Sequence, residues 1–213
     1  MKNLNDVNFK DQKVFLRADL NVPLNDDLEI TDDNRIKNVI PTIKHIIENG
    51  GKLIIASHLG RPGGERVEKF SLKPVANKIG ELLETDIKLA NDCVGEEVLK
   101  LSGSLNSGDI LLLENLRFHK EETSNDSTFS KELSKLADIY INDAFGVSHR
   151  EHASIVGITE FFDIKASGFL MDKEIEYYNK TLVDPKRPLC IVVGGAKVSS
   201  KLSVLNHISE KAD

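Results

Sequence analysis

The chain has 213 residues, of which 40% are apolar and 29% are charged, and its 28 basic and 34 acidic residues give a net charge of -6 at pH 7. This length and composition can bury a sizeable core and predict one large domain, or one domain and part of a second. The acidic balance argues against a general nucleic-acid or membrane surface, because such surfaces need a basic field to attract phosphates. Any anion site must therefore be local.

The cysteines and the N-terminus indicate a cytoplasmic protein. Cys93 and Cys190 are far apart, with no CxxC pair and no metal-type spacing, so we predict two reduced thiols, with a disulfide as the less favoured alternative. The N-terminus lacks the apolar core of a signal peptide, and no apolar run approaches the length that spans a bilayer. We therefore expect a cytoplasmic location.

Short apolar runs alternate with helical patterns, which is typical of βαβ units and a parallel sheet. We predict strands near residues 13–18, 52–57, 86–89, 109–113 and 137–141. Unbroken apolar runs such as Ile110–Leu113 are expected of parallel strands that are buried on both faces. The predicted fold is α/β, a three-layer α/β/α sandwich with a mostly parallel, Rossmann-like sheet, followed by an incomplete second α/β domain.

The first predicted helix lies between the first two strands. Asp32 or Asp33 can cap it, and residues 49–51, Asn-Gly-Gly, can stop it. Pro41 removes a backbone donor inside this pattern, so we expect a kink or a short first turn before the main helix starts near Thr42.

Three further helices are predicted before residue 140. One is capped by Ser71 and has Pro74 in its first turn, as is common at helix starts. The others lie near residues 93–101 and 129–136.

The chain after residue 150 has a different character. Ser154–Phe162 has the pattern of a short helix, and residues 169–182 have that of a longer amphipathic one. A predicted strand at 188–193 then leads through a glycine-rich turn into a final helix from Ser199. We therefore divide the chain into a domain at 1–168, a connecting helix at 169–186, and the first strand, loop and helix of a second domain at 187–213.

Polar residues follow four of the predicted strands, in the segments Arg17–Asn21, Ser57–Arg61, Glu114–Arg117 and Asn142–Gly146. Ligands of open α/β sheets bind outside the carboxyl ends of the strands, so these segments predict one shared site. Five of the seven arginines lie in or beside the predicted loops, namely Arg17, Arg35, Arg61, Arg117 and Arg150. Since the planar guanidinium suits carboxylate and phosphate, we expect a small anion there.

The turn Gly194–Lys197 is a second candidate phosphate site. It lies between a predicted strand and a predicted helix, so its backbone N–H groups and the helix N-terminus could face a phosphate, with Lys197 and Lys201 as counter-charges. The spacing is not that of a Walker A loop, and no GxGxxG motif is present. A tight turn followed by a helix cap at Ser199 is an equally weighted alternative.

Several residues also have purely structural interpretations. His58 could be a hydrogen-bonded core histidine, although its place beside Arg61 favours an anion role. Asp19 and Asn21 could form a turn before Pro23, or orient a hydroxyl group.

Arg35 and the pair of His149 and His152 also have more than one interpretation. Arg35 lies at a helix start, where the dipole disfavours a cation, so it is either a surface residue or a partner of a ligand carboxylate. His149 and His152 could share a helix face and a metal, but no third ligand follows them.

Five segments resemble the phosphoglycerate kinase family and occur in the family's order: Arg17–Pro23, Ser57–Pro62, Leu113–Phe118, Asn142–Gly146 and Gly194–Val198. The resemblance covers the whole chain. It implies reversible transfer of phosphate between 1,3-bisphosphoglycerate and ADP, giving 3-phosphoglycerate and ATP, in glycolysis and carbon fixation. The implied cofactor is ATP or ADP with Mg²⁺.

The resemblance also implies site residues. The substrate-binding set is Asp19, Leu20, Asn21, Arg35, His58, Leu59, Gly60, Arg61, Arg117 and Arg150. Within it, Asp19 and Asn21 hold the hydroxyl region of the glycerate, and the four residues His58, Arg61, Arg117 and Arg150 hold its fixed phosphate. The implied catalytic residues are Arg35 and Lys197, the implied nucleotide-binding residues are Gly194, Gly195, Lys197 and Lys201, and no metal ligand is assigned.

The resemblance implies that the chain corresponds to about the N-terminal half of a family member. We expect the main nucleotide and magnesium site in the other half, and a hinge within residues 163–186. The family is usually monomeric, but the unpaired edges of the predicted strand 188–193 could cause self-association. We expect 3-phosphoglycerate binding with little or no turnover.

Two other function classes stay open. One is a module that binds a phosphorylated acid without catalysis. The other is a nicotinamide-dependent oxidoreductase, which the missing glycine fingerprint disfavours.

Overall fold

A computed structural model of the chain describes residues 3–183, 185–192, 209 and 211–213. These residues belong to two compact units, Met1–Met171 and Asp172–Asp213. The sheet and the predicted anion site lie in the first unit.

The sheet of the first unit has six strands in the order β3-β4-β2-β1-β5-β6, and all neighbouring strands are parallel. The strands are β1 (Lys13–Ala18), β2 (Lys52–Ala56), β3 (Lys88–Leu89), β4 (Ile110–Leu112), β5 (Ile139–Asp143) and β6 (Ile164–Ser167). Five of them confirm predicted strands, with ends that differ by up to two residues. β6 was not predicted, because its segment was assigned to a hinge.

The α-helices are α1 (Asn34–Glu48), α2 (Lys73–Leu83), α3 (Glu96–Gly103), α4 (Lys120–Thr123), α5 (Ser127–Ser134) and α6 (Phe169–Tyr178). Short 3-10 helices cover Leu4–Asp6, Glu68–Phe70, Leu116–Phe118, Phe145–Val147 and Gly157–Phe161, and a π-helical segment covers Asn179–Val183. No helix among the described residues is long and apolar enough to cross a membrane.

Successive residues of β1 face opposite sides of the sheet and enter two separate cores. Leu16 belongs to a cluster that includes Ile43 of α1 and Val75 of α2. Phe15 belongs to another cluster, with Leu133 of α5. Helices therefore cover both faces, and the predicted three-layer α/β/α sandwich is confirmed.

The alternative in which the main helix starts near Thr42, after a short first turn, was wrong. α1 runs without a break from Asn34 to Glu48, with Pro41 inside it. Pro41 and Lys37 are exposed, so the Lys37 carbonyl that loses its helical donor can bind water instead. The predicted stop is confirmed, since Asn49 caps the helix and Gly50 has a positive φ of 79°.

Two other local predictions differ from the structure. α2 begins at Lys73 with Leu72 as its N-cap, one residue after the predicted cap, although Ser71 Oγ accepts a 3.3 Å hydrogen bond from Lys73 N while it donates one of 2.7 Å to Glu114. Residues Ser154–Phe162 form turns and the 3-10 helix Gly157–Phe161 rather than one α-helix.

The predicted strand at 188–193 is not found in its described part, residues 188–192. The backbone of Leu189 bonds to Asp213 instead, with Leu189 N donating to Oδ2 over 2.6 Å and Asp213 N donating to Leu189 O over 3.1 Å. One such pair cannot form a sheet, because a strand needs a ladder of partners. The turn Gly194–Lys197, the helix from Ser199 and Lys201 lie outside the described residues.

Candidate anion-binding cavity

A cavity of about 230 Å³ opens beside the carboxyl ends of β1, β2 and β5. Its lining residues are Asp19, Asn21, Arg35, His58, Gly60, Arg61, Arg117, Gly146, Val147 and Arg150. Arg61, Arg117 and Arg150 also line an adjoining cleft of about 610 Å³ together with His152. We call the smaller space the arginine cavity. Four arginines from four separate segments meet there, as the strand-end pattern predicts.

Asp19 positions the first of these arginines. The Asp19 carboxylate forms an ion pair with Arg35 Nη1, and the Asp19 side chain is only 9% exposed, against 50% for Arg35. A Cβ atom placed on Gly146 would lie 2.8 Å from Asp19 Oδ2. The absent side chain at residue 146 thus leaves room for the pair, and the remaining Arg35 donors are available to a ligand.

Asn21 holds the loop after β2 in place. Its Oδ1 accepts a 2.8 Å hydrogen bond from Gly60 N, and the Gly60 carbonyl accepts one of 2.8 Å from Arg117 Nη1. Gly60 has a φ of 63°, and a Cβ there would lie 2.4 Å from the Phe70 ring. Glycine is therefore required at this position for both reasons.

One hydrogen-bond donor of Arg117 has no partner among the described residues. This donor is Nε, which is buried. Burial, followed by the nearby charges of Arg17 and Arg150, lowers the pKa of Arg117. Because an unpaired buried donor is costly, an anion that accepts from this guanidinium would be bound favourably.

His58 is held as a neutral ring. Burial first, and then the charges of Arg17, Arg117, His152 and Arg35, lower its pKa to about 2. Arg17 Nη2 lies 3.3 Å from His58 Nδ1. A guanidinium can only donate, so Nδ1 must accept and the ring proton must lie on Nε2. His58 can therefore donate to an anion without carrying a charge.

Arg17 itself is fully buried and is supported from behind the cavity. Its Nε donates a 2.8 Å hydrogen bond to Ser154 Oγ, which in turn donates one of 2.6 Å to Glu122 Oε1. The Ser154 backbone N–H donates to Glu122 Oε2 over 2.9 Å. The fully buried Glu122 carboxylate thus compensates a charge that faces His58.

This support has no signal in the sequence. Arg17 lies among the predicted loop arginines, but it does not line the arginine cavity. Glu122 and Ser154 are 32 residues apart, and no local pattern connects them.

Two predicted binding residues do not line the cavity. Leu20 and Leu59 are buried in the core below it, with exposures of 0% and 2%. Leu20 contributes through its backbone, since its N–H donates a 2.9 Å hydrogen bond to Ser57 Oγ.

The predicted residues Gly194, Gly195, Lys197 and Lys201 lie outside the described part of the chain. The possible metal pair is not supported, since His149 is exposed while His152 is buried.

A larger cleft of about 810 Å³ lies near the starts of α1 and α2. Its lining contains no arginine, and three of its charged residues are paired, since Asp33 is 2.8 Å from Lys37 and 3.5 Å from Lys78, and Lys78 is 3.0 Å from Glu81. Size alone therefore does not identify the site, and the arginine cavity is the better candidate for anion binding.

Known proteins show extensive similarity to this chain. A family model described as "Phosphoglycerate kinase" matches residues 4–213. The "Phosphoglycerate kinase, cytosolic" of Triticum aestivum is 52% identical over 210 residues, which are 99% of this chain and 52% of the relative. The phosphoglycerate kinase of Desulfotalea psychrophila is 50% identical over 213 residues, which are 100% of this chain and 54% of the relative.

Solved structures agree with these matches. The phosphoglycerate kinase from Pyrococcus horikoshii OT3 has a TM-score of 0.90 and 37% identity, with 100% of this chain and 54% of that chain covered. The phosphoglycerate kinase from Coxiella burnetii has a TM-score of 0.88 and 35% identity, with 100% of this chain and 53% of that chain covered. The chain spans about half the length of the curated relatives it matches.

Proposed function

The chain belongs to the phosphoglycerate kinase family, and on this premise we propose that its arginine cavity binds 3-phosphoglycerate as part of the reversible transfer of phosphate between 1,3-bisphosphoglycerate and ADP. The observation that supports this most directly is the convergence of four arginines and the neutral His58 on a space of about 230 Å³. A small acid that carries both a phosphate and a carboxylate fits such a lining, whereas a bulky or cationic ligand does not.

The cavity offers different partners to the two ends of the ligand. Arg61, Arg117 and Arg150 line both the cavity and the adjoining cleft, so they surround one end with charge. We assign the fixed phosphate to these arginines and to His58 Nε2, which donates a hydrogen bond from a neutral imidazole. Asp19 and Asn21 lie at the other end with Arg35, where they suit a hydroxyl and a carboxylate.

Arg35 is the proposed catalytic residue of this part of the chain. Phosphoryl transfer needs positioning and charge compensation more than covalent help from the protein. The substrate carboxylate itself is the acceptor, so no protein nucleophile is required. Because Asp19 holds only Nη1, Arg35 keeps other donors for charge that develops on the transferred group.

Nucleotide and magnesium are proposed to bind elsewhere. The arginine cavity would repel Mg²⁺, which prefers carboxylate and carbonyl oxygens. The proposed phosphate contacts of ATP or ADP stay with Gly194, Gly195, Lys197 and Lys201, and the charge-neutralising role stays with Lys197. The cytoplasm remains the predicted compartment, although the names of relatives include both a cytosolic and a chloroplastic enzyme.

The test is a calorimetric titration of the protein with 3-phosphoglycerate, with glycerate as the ligand that lacks the phosphate. We expect saturable 1:1 binding of 3-phosphoglycerate and no measurable binding of glycerate. Arg117→Met should weaken binding about 30- to 150-fold, since charge-assisted contacts of this kind are worth about 2 to 3 kcal/mol.

Arg66→Met is the matched control, because Arg66 is a half-exposed arginine that lies outside the cavity lining. Equal losses in both variants would indicate a general charge effect and would contradict the proposed site. Binding of glycerate as tight as that of 3-phosphoglycerate would exclude a phosphate subsite.

A further inference from the structure

A second cluster of chemically active side chains lies outside the arginine cavity. One ligand atom each of Asp92, Cys93 and His119 lies within 4.8 Å of the other two. Asp92 and Cys93 follow β3, while His119 follows the 3-10 helix Leu116–Phe118. The fold therefore brings together a carboxylate, a thiol and an imidazole from two separate segments.

The Asp92 carboxylate is the centre of this cluster. Asp92 Oδ1 is 2.6 Å from His119 Nε2, and it accepts a 2.6 Å hydrogen bond from the backbone N–H of Cys93. These contacts order the side chains of the cluster. A ligand that replaced protons in the cluster would meet a site that is largely assembled.

Access to the cluster is one-sided. Cys93 is fully buried, whereas the side chains of His119 and Asp92 are 27% and 48% exposed. A small ion could therefore enter from the solvent side and reach the thiol. The exposed side would keep a coordination position for water, as in three-ligand zinc sites.

The surrounding charge favours a cation. The Asp92 carboxylate is itself one of the three groups that meet, and Glu121 lies in the first turn of α4, two residues after His119. These carboxylates would attract and stabilise a divalent ion.

We propose that Asp92, Cys93 and His119 bind a zinc-type divalent cation. Thiolate, imidazole and carboxylate are the donors that Zn²⁺ uses, at about 2.3 Å for sulfur and about 2.0 to 2.2 Å for nitrogen and oxygen. On binding, the Cys93 thiol releases its proton to solvent and the imidazole coordinates as the neutral ring. The thiolate also selects zinc over Mg²⁺, which prefers oxygen ligands.

The position of the ion links two segments of the first unit. His119 lies two residues after Arg117, which bonds to the Gly60 carbonyl at the arginine cavity. A bound ion would join the Asp92–Cys93 segment to the one that carries Arg117. This inference does not depend on the proposed function, because it needs no phosphoglycerate.

Cobalt gives the direct test, because a Co²⁺–thiolate bond produces a charge-transfer absorption that oxygen and nitrogen ligands do not. The reduced protein is titrated with Co²⁺, and Zn²⁺ is then added as competitor. We expect one saturable site with a thiolate band, and its loss when Zn²⁺ is added. Absence of any thiolate band at Co²⁺ concentrations well above that of the protein would overturn the proposal.

Variants separate this site from other thiol chemistry. Cys93→Ser should abolish the band, and the exposed Cys190 provides the matched control, since Cys190→Ser should leave it unchanged. His119→Gln changes a partly exposed residue and should weaken Co²⁺ binding at least about tenfold, which keeps the test valid if Cys93→Ser unfolds the protein. A band that is lost in Cys190→Ser but kept in Cys93→Ser, or an unchanged affinity in His119→Gln, would contradict the assignment.

Discussion

Two histidines, His58 and His119, show how differently the two clusters of this molecule are built. His58 faces arginines in the arginine cavity, and burial together with their charge lowers its pKa to about 2. His119 faces Asp92, and the hydrogen bond to that carboxylate raises its pKa. The same side chain is therefore a neutral donor for an anion in one cluster and a partner of negative charge in the other.

The two clusters also differ in where their counter-charge lies. In the arginine cavity the compensating carboxylate of Glu122 is behind the site and acts through Ser154 on Arg17. In the second cluster the Asp92 carboxylate is itself one of the three groups that meet. The Asp19 carboxylate that lines the arginine cavity is already paired with Arg35, so the other cations there are available for an anion, whereas the Asp92 carboxylate meets a thiol and an imidazole and suits a cation.

Removing the hidden carboxylate should have the largest effect on this contrast. We expect Glu122→Gln to lower the free energy of unfolding by about 3 kcal/mol, because it leaves the fully buried Arg17 without its counter-charge. Urea denaturation measures the change. Glu121→Gln is the neighbouring control, which we expect to stay within about 0.5 kcal/mol of the original protein. A similar small change in Glu122→Gln would show that Arg17 is stable without this carboxylate.

The neutral His58 predicts a pH dependence of stability. Its folded-state pKa of about 2 lies below the ordinary value of 6.5, so between these values the unfolded chain binds a proton that the native protein does not. Stability therefore falls as pH falls, by up to about 1.4 kcal/mol per pH unit from this group. We expect the free energy of unfolding of His58→Gln to fall less steeply between pH 6 and pH 5 than that of the original protein, because the contribution of His58 is absent.

Burial of His58 is the main cause of its lowered pKa, followed by electrostatic interactions with Arg17, Arg117, His152 and Arg35. His149→Gln is the control, because His149 is exposed. Free energies of unfolding at pH 6 and pH 5 decide the matter. An identical slope in His58→Gln and in the original protein would mean that His58 is not held neutral.

A smaller and more local effect is expected from Gly146→Ala. The new Cβ would lie 2.8 Å from Asp19 Oδ2 and 3.9 Å from Arg35 Nη1, so it should displace the ion pair. We expect about tenfold weaker 3-phosphoglycerate binding, or about 1.4 kcal/mol, measured by calorimetry. A Cβ on Gly103 of α3 meets nothing within 4 Å, so Gly103→Ala should leave binding unchanged and stabilise the helix by about 0.5 to 1 kcal/mol. Unchanged binding in Gly146→Ala would remove the Asp19–Arg35 pair from the binding site.

The failures of sequence interpretation have physical reasons. β6 is a four-residue strand whose apolar pattern is short, and it is held by its pairing with β5. The segment 188–192 has a stronger apolar pattern, yet it does not form a strand, because β-structure depends on partners as well as on propensity. Pro41 is tolerated inside α1 because it faces solvent, which the helical pattern alone does not establish.

The sequence by itself determined the layered fold and the edge at which the site lies. Unbroken apolar runs identify buried parallel strands, and the residues that follow β1, β2 and β5 must meet at one edge of such a sheet. Asp19, Asn21, His58, Gly60, Arg61 and Arg117 lie in segments that follow predicted strands, and Arg35 and Arg150 lie beside such segments; all eight line the cavity, whereas their individual binding roles are implied by the resemblance to the family.

Only the tertiary structure decided the protonation and the support of these residues. The hydrogen bond from Arg17 to Ser154 joins residues 137 positions apart, and that from Ser154 to Glu122 joins residues 32 positions apart. The same holds for the approach of Asp92 to His119, 27 positions away. Periodicity reports which face of an element is buried, but the charge that a buried group meets depends on which other segments pack against it.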